Sequence, residues 1–135
     1  MSDIKNILVT GGSGLVGFAI KELADVLTPS REELNLLDKD AVYQYLVNNE
    51  IDAIIHCAAK VGGITANSEQ LANFYNENVM MNTNLLSAAH EAGVKKVVSF
   101  MSTCVFPADA EFPLTVEQLH SGEPHSSNYA YAYAK

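Results

Sequence analysis

The chain has 135 residues, enough for one small domain with a hydrophobic core. Apolar residues make up 48% and charged residues 18%, a composition that excludes an intrinsically disordered chain. The formal net charge of −8 argues against a nucleic-acid-binding surface, which is normally basic. No apolar run approaches the roughly 18 residues of a transmembrane helix, so we predict no membrane partner. The two cysteines, with no secretory signal before them, predict free thiols and a cytoplasmic location.

Segments typical of strands alternate with segments typical of helices. The predicted strands cover residues 4–10, 26–28, 52–57 and 96–101. The predicted helices cover residues 15–24, a segment across 42–46 with Asp38 as N-cap, 67–91 with Gly93 just past its end, and 127–135. A proline-containing loop separates the last strand from the last helix. This order predicts an α/β fold: a Rossmann-type, doubly wound parallel sheet of about four strands.

The first strand runs into a glycine-rich turn with GxxGxxG spacing. The residues are Gly11, Gly12, Ser13, Gly14, Leu15, Val16 and Gly17. Gly11 permits a sharp turn, Gly14 leaves room for a pyrophosphate, and Gly17 allows close packing of the helix. The helix N-terminus would then face the phosphates of a dinucleotide. Glycine-rich turns also occur for structural reasons alone, but a strand before and a helix after favour a dinucleotide site here.

The segment after the second predicted strand bears on the choice of cofactor. An NAD site usually has an acidic residue at this position, which binds the ribose 2′-hydroxyl. Here the chain reads Thr28-Pro29-Ser30-Arg31, and a guanidinium suits a 2′-phosphate. We therefore predict NADP(H). Two alternatives stay open: Arg31 pairs with Glu32 or Glu33 on the surface, or Glu32 serves as the acid of an NAD site.

Tyr131 and Lys135 are four residues apart on a predicted helix and so share one face. A nearby ammonium lowers the pKa of a tyrosine, which favours proton exchange with a carbonyl or hydroxyl during hydride transfer. The same spacing is common on solvated helix faces. Composition alone does not choose Tyr131 over its neighbours Tyr129 and Tyr133.

Two further candidates follow the fourth predicted strand. Ser102 comes directly after it, and the carboxyl ends of parallel strands are where ligands bind in doubly wound sheets. Its hydroxyl is suited to bond a reacting oxygen. Cys104 is two residues on and within reach of the same site, although a small buried thiol is the commoner role of cysteine.

Four segments together resemble the GDP-L-fucose synthase family of extended short-chain dehydrogenases/reductases. They read TGGSGLVG, HCAAKVGGI, MSTCVFP and GEPHSSNYAYAYAK, and the resemblance runs from Ile4 to Lys135. It implies that GDP-4-keto-6-deoxy-D-mannose is epimerised at C3 and C5 and then reduced at C4 with NADPH, giving GDP-L-fucose. It also implies a homodimer for the whole protein.

The resemblance also implies roles for individual residues. Tyr131 would donate a proton to the C4 oxygen, and Lys135 would lower its pKa and bind the cofactor ribose. Ser102 would hydrogen-bond the ketone, and Cys104 would be an acid/base in epimerisation. Arg31 would bind the adenosine phosphate. The residues expected to line the cofactor cleft are Ala58 and Ala59. His125 is expected to structure its loop, and no metal ligands are predicted.

Members of this family continue past the position of Lys135. We therefore expect residues 1–135 to be a partial NAD(P)-binding Rossmann domain without a C-terminal substrate domain. We also expect the strand KVVSFM to be an uncovered edge and the chain alone to have little or no turnover. Two other functions remain open: an NAD-dependent nucleotide-sugar 4-epimerase or related reductase, and a non-catalytic nucleotide-binding module.

Overall fold

A computed structural model describes residues 4–63, 65 and 69–135 of the chain. Its strands are β1 (Ile7–Thr10), β2 (Ala53–His56) and β3 (Lys96–Ser99). Its α-helices are α1 (Leu15–Leu23), α2 (Lys39–Asn48), α3 (Leu71–Glu91) and α4 (Tyr129–Ala134). The strands form one parallel sheet in the order β1-β2-β3, so the predicted α/β fold with flanking helices is confirmed. The predicted start of the long helix, at residue 67, lies outside the described residues.

The second predicted strand, at 26–28, is reduced to a single bridge. Leu27 pairs with Leu8, and two hydrogen bonds join its backbone to Val9 (2.8 Å) and Ile7 (2.9 Å). Among the described residues, three of the four predicted strands therefore form the sheet, and the remaining one contributes only this bridge. The pairing ends here because Pro29 has no N–H to donate to a ladder.

The chain divides into two compact units, Met1–Ala59 with Met80–Phe100 and Lys60–Val79 with Met101–Lys135. In the first unit, apolar side chains of β1, β2, α2 and α3 form a hydrophobic core. Its buried members are Leu8, Leu34, Leu36, Val42, Leu46, Ile51, Ile54, Leu85, Ala88 and Ala89. Burial of these side chains is the main stabilising contribution to this unit.

The predicted N-cap Asp38 and the predicted terminal glycine Gly93 are confirmed, whereas the last α-helix begins at Tyr129 rather than near Ser127. The side chain of Asp38 accepts a hydrogen bond from the N–H of Ala41 and so caps α2 (3.0 Å). Gly93 has a φ of +73°, and the N–H of Val94 returns to the carbonyl of Ala89 (2.9 Å). This left-handed glycine satisfies carbonyls at the end of α3 and turns the chain into β3.

Strand β3 is an exposed edge of the sheet, as expected. Among the described residues it pairs only with β2, in a register that sets Val98 opposite Ile55. Val98 is 43% exposed and Phe100 is 42% exposed. In the second unit, residues 106–125 form a loop in which Pro107 pairs with Pro124. None of the helices in the described ranges has the length and apolar character needed to cross a membrane.

Asp52 joins the amino ends of all three strands. Its carboxylate accepts hydrogen bonds from the N–H groups of Lys5 (2.8 Å) and Asn6 (3.2 Å), just before β1. It also pairs with the ammonium of Lys95, just before β3. The bond from Lys95, followed by the two backbone bonds, lowers the pKa of Asp52 from 3.8 to about 2.

This carboxylate predicts a pH dependence of stability. Because the pKa is lower in the folded chain, the stabilisation is present above the ordinary value of 3.8 and is lost as the pH falls towards about 2. We expect the free energy of unfolding to fall less in Asp52→Asn than in wild type between about pH 4 and 2, measured by urea unfolding at each pH. Asp25→Asn, at an exposed position in the same unit, is the control and should leave the slope unchanged. The same acid-side loss in wild type and Asp52→Asn would contradict this assignment.

Candidate functional site

The turn after β1 and the segment after β2 lie backbone against backbone. Gly11 has a φ of +73°, and a Cβ added there would lie 2.7 Å from the nitrogen of Ala58. A Cβ on Gly17 would lie 2.3 Å from the carbonyl oxygen of Gly11. Gly17 therefore allows the first turn of α1 to pack on the glycine turn itself, whereas the sequence predicted packing of the helix on the sheet. Neither position accepts a side chain without movement of the backbone.

The N-terminus of α1 is open. Gly14 is its N-cap and supplies no side-chain hydrogen bond, and the first turn contains no acidic residue. Ser13 and Gly14 are exposed, and Leu15 is 91% exposed. The N–H of Gly14 is used within the turn, bonding to Gly11 (3.0 Å), while the following N–H groups have no capping side chain at Gly14. Such an arrangement suits the negatively charged oxygens of a diphosphate.

A buried hydrogen-bond chain holds these two segments in place, and sequence reasoning missed it. The N–H of Ala58 donates to Thr10 Oγ1 (3.3 Å), which bonds to His56 Nδ1 (2.6 Å). His56 Nε2 bonds to Asn82 Oδ1 on α3 (2.9 Å). An amide oxygen only accepts, so Nε2 carries a proton, and in the neutral imidazole Nδ1 then accepts from the hydroxyl of Thr10. The signal in the sequence was polar residues at the ends of β1 and β2, at Thr10 and His56.

Gly12 brings the next segment close to the glycine turn. A Cβ at Gly12 would lie 2.7 Å from Cβ of Thr28, three residues before Arg31. Arg31 is exposed, and among the ion pairs of the described residues none involves it. Among the described residues Arg31 therefore forms no ion pair with Glu32 or Glu33, although its charge contributes to lowering the pKa of Glu32.

In the second unit, Tyr131 lines a small pocket of about 100 Å³. The other lining residues are Val61, Gly62, Cys104 and Asn128. The side chain of Ser102 lies close enough to the Tyr131 phenol to contribute to its pKa. The Ser102 hydroxyl accepts the N–H of Cys104 (3.2 Å) and so caps a short 3₁₀ turn, Thr103–Val105. The structure therefore brings together three of the predicted catalytic residues, Ser102, Cys104 and Tyr131.

The pKa of Tyr131 is raised, opposite to the predicted direction. Burial of the half-buried phenol is the largest cause, and the negative charge of a Cys104 thiolate raises the pKa further. The side chain of Ser102 lowers it, by less than the other two raise it. The phenol is therefore protonated at neutral pH and suited to donate a proton.

The alternation of tyrosine and alanine in α4 separates Tyr131 from its neighbours. Tyr129 and Tyr133 are 43% and 53% exposed, and their rings contact each other with centroids 4.7 Å apart. The buried residues of the helix are Ala130, Ala132 and Ala134. Of the three tyrosines, Tyr131 lines the pocket with Cys104.

Two other predicted residues lie at the ends of this helical segment. Lys135 is the half-buried C-cap of α4, and its N–H donates to the carbonyl of Ala132 (3.2 Å). His125 caps the 3₁₀ turn before α4, accepting the N–H of Ser127 at Nδ1 (3.2 Å). A loop-structuring role for His125 is what the sequence predicted.

One wall of the pocket is fixed by a buried amide that sequence reasoning did not identify. Asn78 is 1% exposed and accepts the N–H of Lys60 (2.8 Å) while donating to the carbonyls of Lys60 (3.0 Å) and Phe74 (2.7 Å). The Lys60 ammonium pairs with Glu77 and lies 5.7 Å from the ring centroid of Phe74. These contacts anchor the chain just before Val61, and a lone asparagine inside an amphipathic helix gives no sequence signal of that role.

Comparison with known proteins gives a family and several relatives. A sequence profile of the NAD dependent epimerase/dehydratase family matches residues 7–135. A probable GDP-L-fucose synthase of Drosophila melanogaster is 38% identical over 140 residues, covering 98% of this chain and 44% of that protein. A GDP-L-colitose synthase of Yersinia pseudotuberculosis is 39% identical over 134 residues, covering 96% of this chain and 44% of that protein.

A solved structure agrees in fold. The GDP-L-fucose synthetase of Naegleria fowleri bound to NADP superposes with a TM-score of 0.85 at 39% identity, covering 99% of this chain and 42% of that chain. The chain thus spans less than half the length of the proteins it matches. The predicted resemblance to the GDP-L-fucose synthase family is confirmed by these relatives. The match over residues 7–135 shows that the chain belongs to the NAD dependent epimerase/dehydratase family.

Proposed function

We propose that the chain is the NADP(H)-binding part of an enzyme that epimerises GDP-4-keto-6-deoxy-D-mannose and reduces it to GDP-L-fucose. The observation that carries the proposal is the grouping of Tyr131 and Cys104 at one pocket, with the side chain of Ser102 near the phenol. The relatives named GDP-L-fucose synthase support the same reaction. Residues 1–135 would form part of the dinucleotide-binding domain, and a cytoplasmic, homodimeric whole protein stays a prediction.

The cofactor would be held by backbone groups of the glycine turn. The open N-terminus of α1, without a Cβ at Gly14, fits a pyrophosphate. Arg31 is the single arginine of the sequence and its guanidinium would bind the 2′-phosphate. NADP in the Naegleria fowleri structure supports this choice over NAD. Ala58 and Ala59 would line the cleft, and Lys135 would bind the nicotinamide ribose.

Bound NADPH supplies the hydride that adds to C4 of the sugar. Tyr131 would give its phenolic proton to the C4 oxygen, so that the ketone becomes a hydroxyl. A phenol with a raised pKa holds this proton until negative charge develops on the oxygen. Ser102 would hydrogen-bond the same oxygen and orient the ketone.

Epimerisation needs an acid/base within reach of carbons beside the ketone. The C4 ketone acidifies the protons at C3 and C5, so a base can remove one and an acid can return one to the opposite face. Cys104 lines the pocket with Tyr131 and is half-buried, and we assign it one of these proton transfers. One relative is named GDP-L-colitose synthase, so its named product differs from GDP-L-fucose. The identity of the sugar is therefore the most specific part of the proposal.

Alanine at two glycines of the turn should have different effects. Gly14→Ala places a Cβ 3.3 Å from the carbonyl oxygen of Gly11, a tight contact that a small shift relieves. We expect it to fold with a loss of under about 1 kcal/mol and to bind NADPH at least about tenfold more weakly. Gly17→Ala, with its contact of 2.3 Å, should destabilise the fold by about 1–3 kcal/mol.

Urea unfolding and NADPH fluorescence titration separate these outcomes. If Gly14→Ala binds NADPH as tightly as wild type, the pyrophosphate does not approach the turn at Gly14. If Gly17→Ala is as stable as wild type, the first turn of α1 is not packed against the glycine turn.

Removal of the Tyr131 phenol tests the proton donor. In the whole enzyme of which this chain would be the NADP(H)-binding part, we expect Tyr131→Phe to lower the rate of NADPH oxidation with GDP-4-keto-6-deoxy-D-mannose by about 10²–10⁴-fold, because a general acid is lost. Tyr133→Phe is the matched control, two residues away, exposed and in contact with the ring of Tyr129, and should stay within about twofold of wild type. The assay follows NADPH absorbance at high protein concentration with the keto sugar in excess. Equal losses in both variants would contradict the role of Tyr131.

A further inference from the structure

We propose that Glu33 is a positioning residue that sets the preference for NADP(H) over NAD(H) by fixing the turn that carries Arg31. This inference rests on the proposed function, since it concerns the same cofactor site. Glu33 would not touch the cofactor in this account. It would act through the backbone of Ser30, and its effect would be confined to the cofactor that has a 2′-phosphate.

The turn from Ser30 to Glu33 is closed by a reciprocal cap. The carboxylate of Glu33 accepts the N–H of Ser30 (2.7 Å), and the Ser30 hydroxyl accepts the N–H of Glu33 (3.3 Å). The N–H of Leu34 donates to the carbonyl of Ser30 (2.9 Å), and Leu34 is 5% exposed in the hydrophobic core. Two side-chain bonds and one buried anchor therefore fix the backbone on both sides of Arg31.

The carboxylates of Glu32 and Glu33 would otherwise compete for the guanidinium of Arg31, but other groups of the turn engage both of them. Glu33 is bonded to the Ser30 backbone. Bonds to its own backbone N–H and to Ser30 are the main causes that lower the pKa of Glu32, and the charge of Arg31 contributes less than either. Arg31 is exposed and forms no ion pair with described residues, whereas Lys39 and Lys95 of the same unit pair with acids. The guanidinium is therefore available to an anionic group.

The turn from Ser30 to Glu33 is connected through Thr28 to the glycine-rich turn after β1. Thr28 lies against Gly12, where an added Cβ would come within 2.7 Å, and the chain passes from Thr28 through Pro29 into the capped turn. Because proline fixes its φ, few backbone torsions separate the contact at Gly12 from Arg31. Loss of the cap would release Arg31 while leaving the contact of Thr28 with Gly12 in place.

A role of Glu33 as a negative charge and a role as a cap predict opposite changes in NADPH affinity when Glu33 is replaced. If Glu33 acted only as a negative charge near the 2′-phosphate, its removal would strengthen NADPH binding. If it acts as a cap, removal of the hydrogen bond weakens NADPH binding, whatever happens to the charge. Glu33→Gln loses the charge but keeps an oxygen that accepts the Ser30 N–H, whereas Glu33→Asp keeps the charge on a side chain one methylene too short.

The experiment is fluorescence titration of the chain and its variants with NADPH and, separately, NADH. We expect wild type to prefer NADPH, and Arg31→Ala to lose that preference. Glu33→Ala and Glu33→Asp should each weaken NADPH binding about tenfold, the effect of about one lost hydrogen bond, and leave NADH binding within about twofold. Glu33→Gln should bind both cofactors like wild type. A thermal unfolding midpoint for each variant accompanies the titrations.

The possible outcomes separate the inference from the function on which it rests. If wild type binds neither cofactor, or does not prefer NADPH, the proposed cofactor site is wrong and the inference fails with it. If wild type prefers NADPH but Glu33→Ala and Glu33→Asp keep that preference, only the role of Glu33 is overturned. Equal weakening of NADPH and NADH, or weakening in Glu33→Gln as large as in Glu33→Ala, would also overturn it. If Glu33→Ala does not fold, Glu33→Asp and Glu33→Gln give the same comparison.

Discussion

The close approach of two loop backbones is the constraint on which the cofactor site depends. Gly11 turns the chain away from β1 at a positive φ and lies against the backbone of Ala58, which follows β2. The N–H of Ala58 is bonded to Thr10, and Thr10 is bonded to the buried His56. A side chain at position 11 would separate these segments, and α1 would then begin from a different direction. The open helix N-terminus is thus a consequence of sheet geometry and glycine together.

The second unit brings Tyr131 and Cys104 to one pocket, with the side chain of Ser102 near the phenol. Burial, followed by the charge of Cys104, raises the pKa of the phenol above its ordinary value, and the opposing contribution of Ser102 is smaller. This direction suits the reduction step, because a proton donor must be protonated when the substrate arrives. Ser102 caps the 3₁₀ turn that contains Cys104, and Cys104 lines the same pocket as the phenol.

Much of the fold could be predicted from local signals. The glycine spacing, the cap at Asp38 and the glycine at position 93 each follow from backbone chemistry that the structure bears out. The extent of strand pairing at 26–28 could not be predicted, because a short β-branched run has the same sequence pattern whether it forms a ladder or a single bridge. The pKa of Tyr131 was misjudged for a related reason: spacing reveals a possible cation, whereas burial depends on tertiary packing.

The residues that sequence reasoning missed are all polar groups whose partners are distant in the chain. Asn78 holds Lys60, 18 residues away, and His56 joins Thr10 to Asn82. Such pairs have no spacing that distinguishes them from exposed polar residues. The cap between Ser30 and Glu33 is the opposite case, since its spacing of three residues is visible in the sequence and only its consequence for Arg31 needed the structure.

The central claim is that the N–H groups at the start of α1 bind the pyrophosphate of NADPH. Amide chemical shifts in an ¹⁵N–¹H correlation spectrum, recorded during titration with NADPH, test it most directly. The account predicts that the largest shifts fall on Gly14, Leu15 and Val16, with smaller ones at Arg31. Saturable binding of NADPH that leaves these three amides unmoved would contradict it.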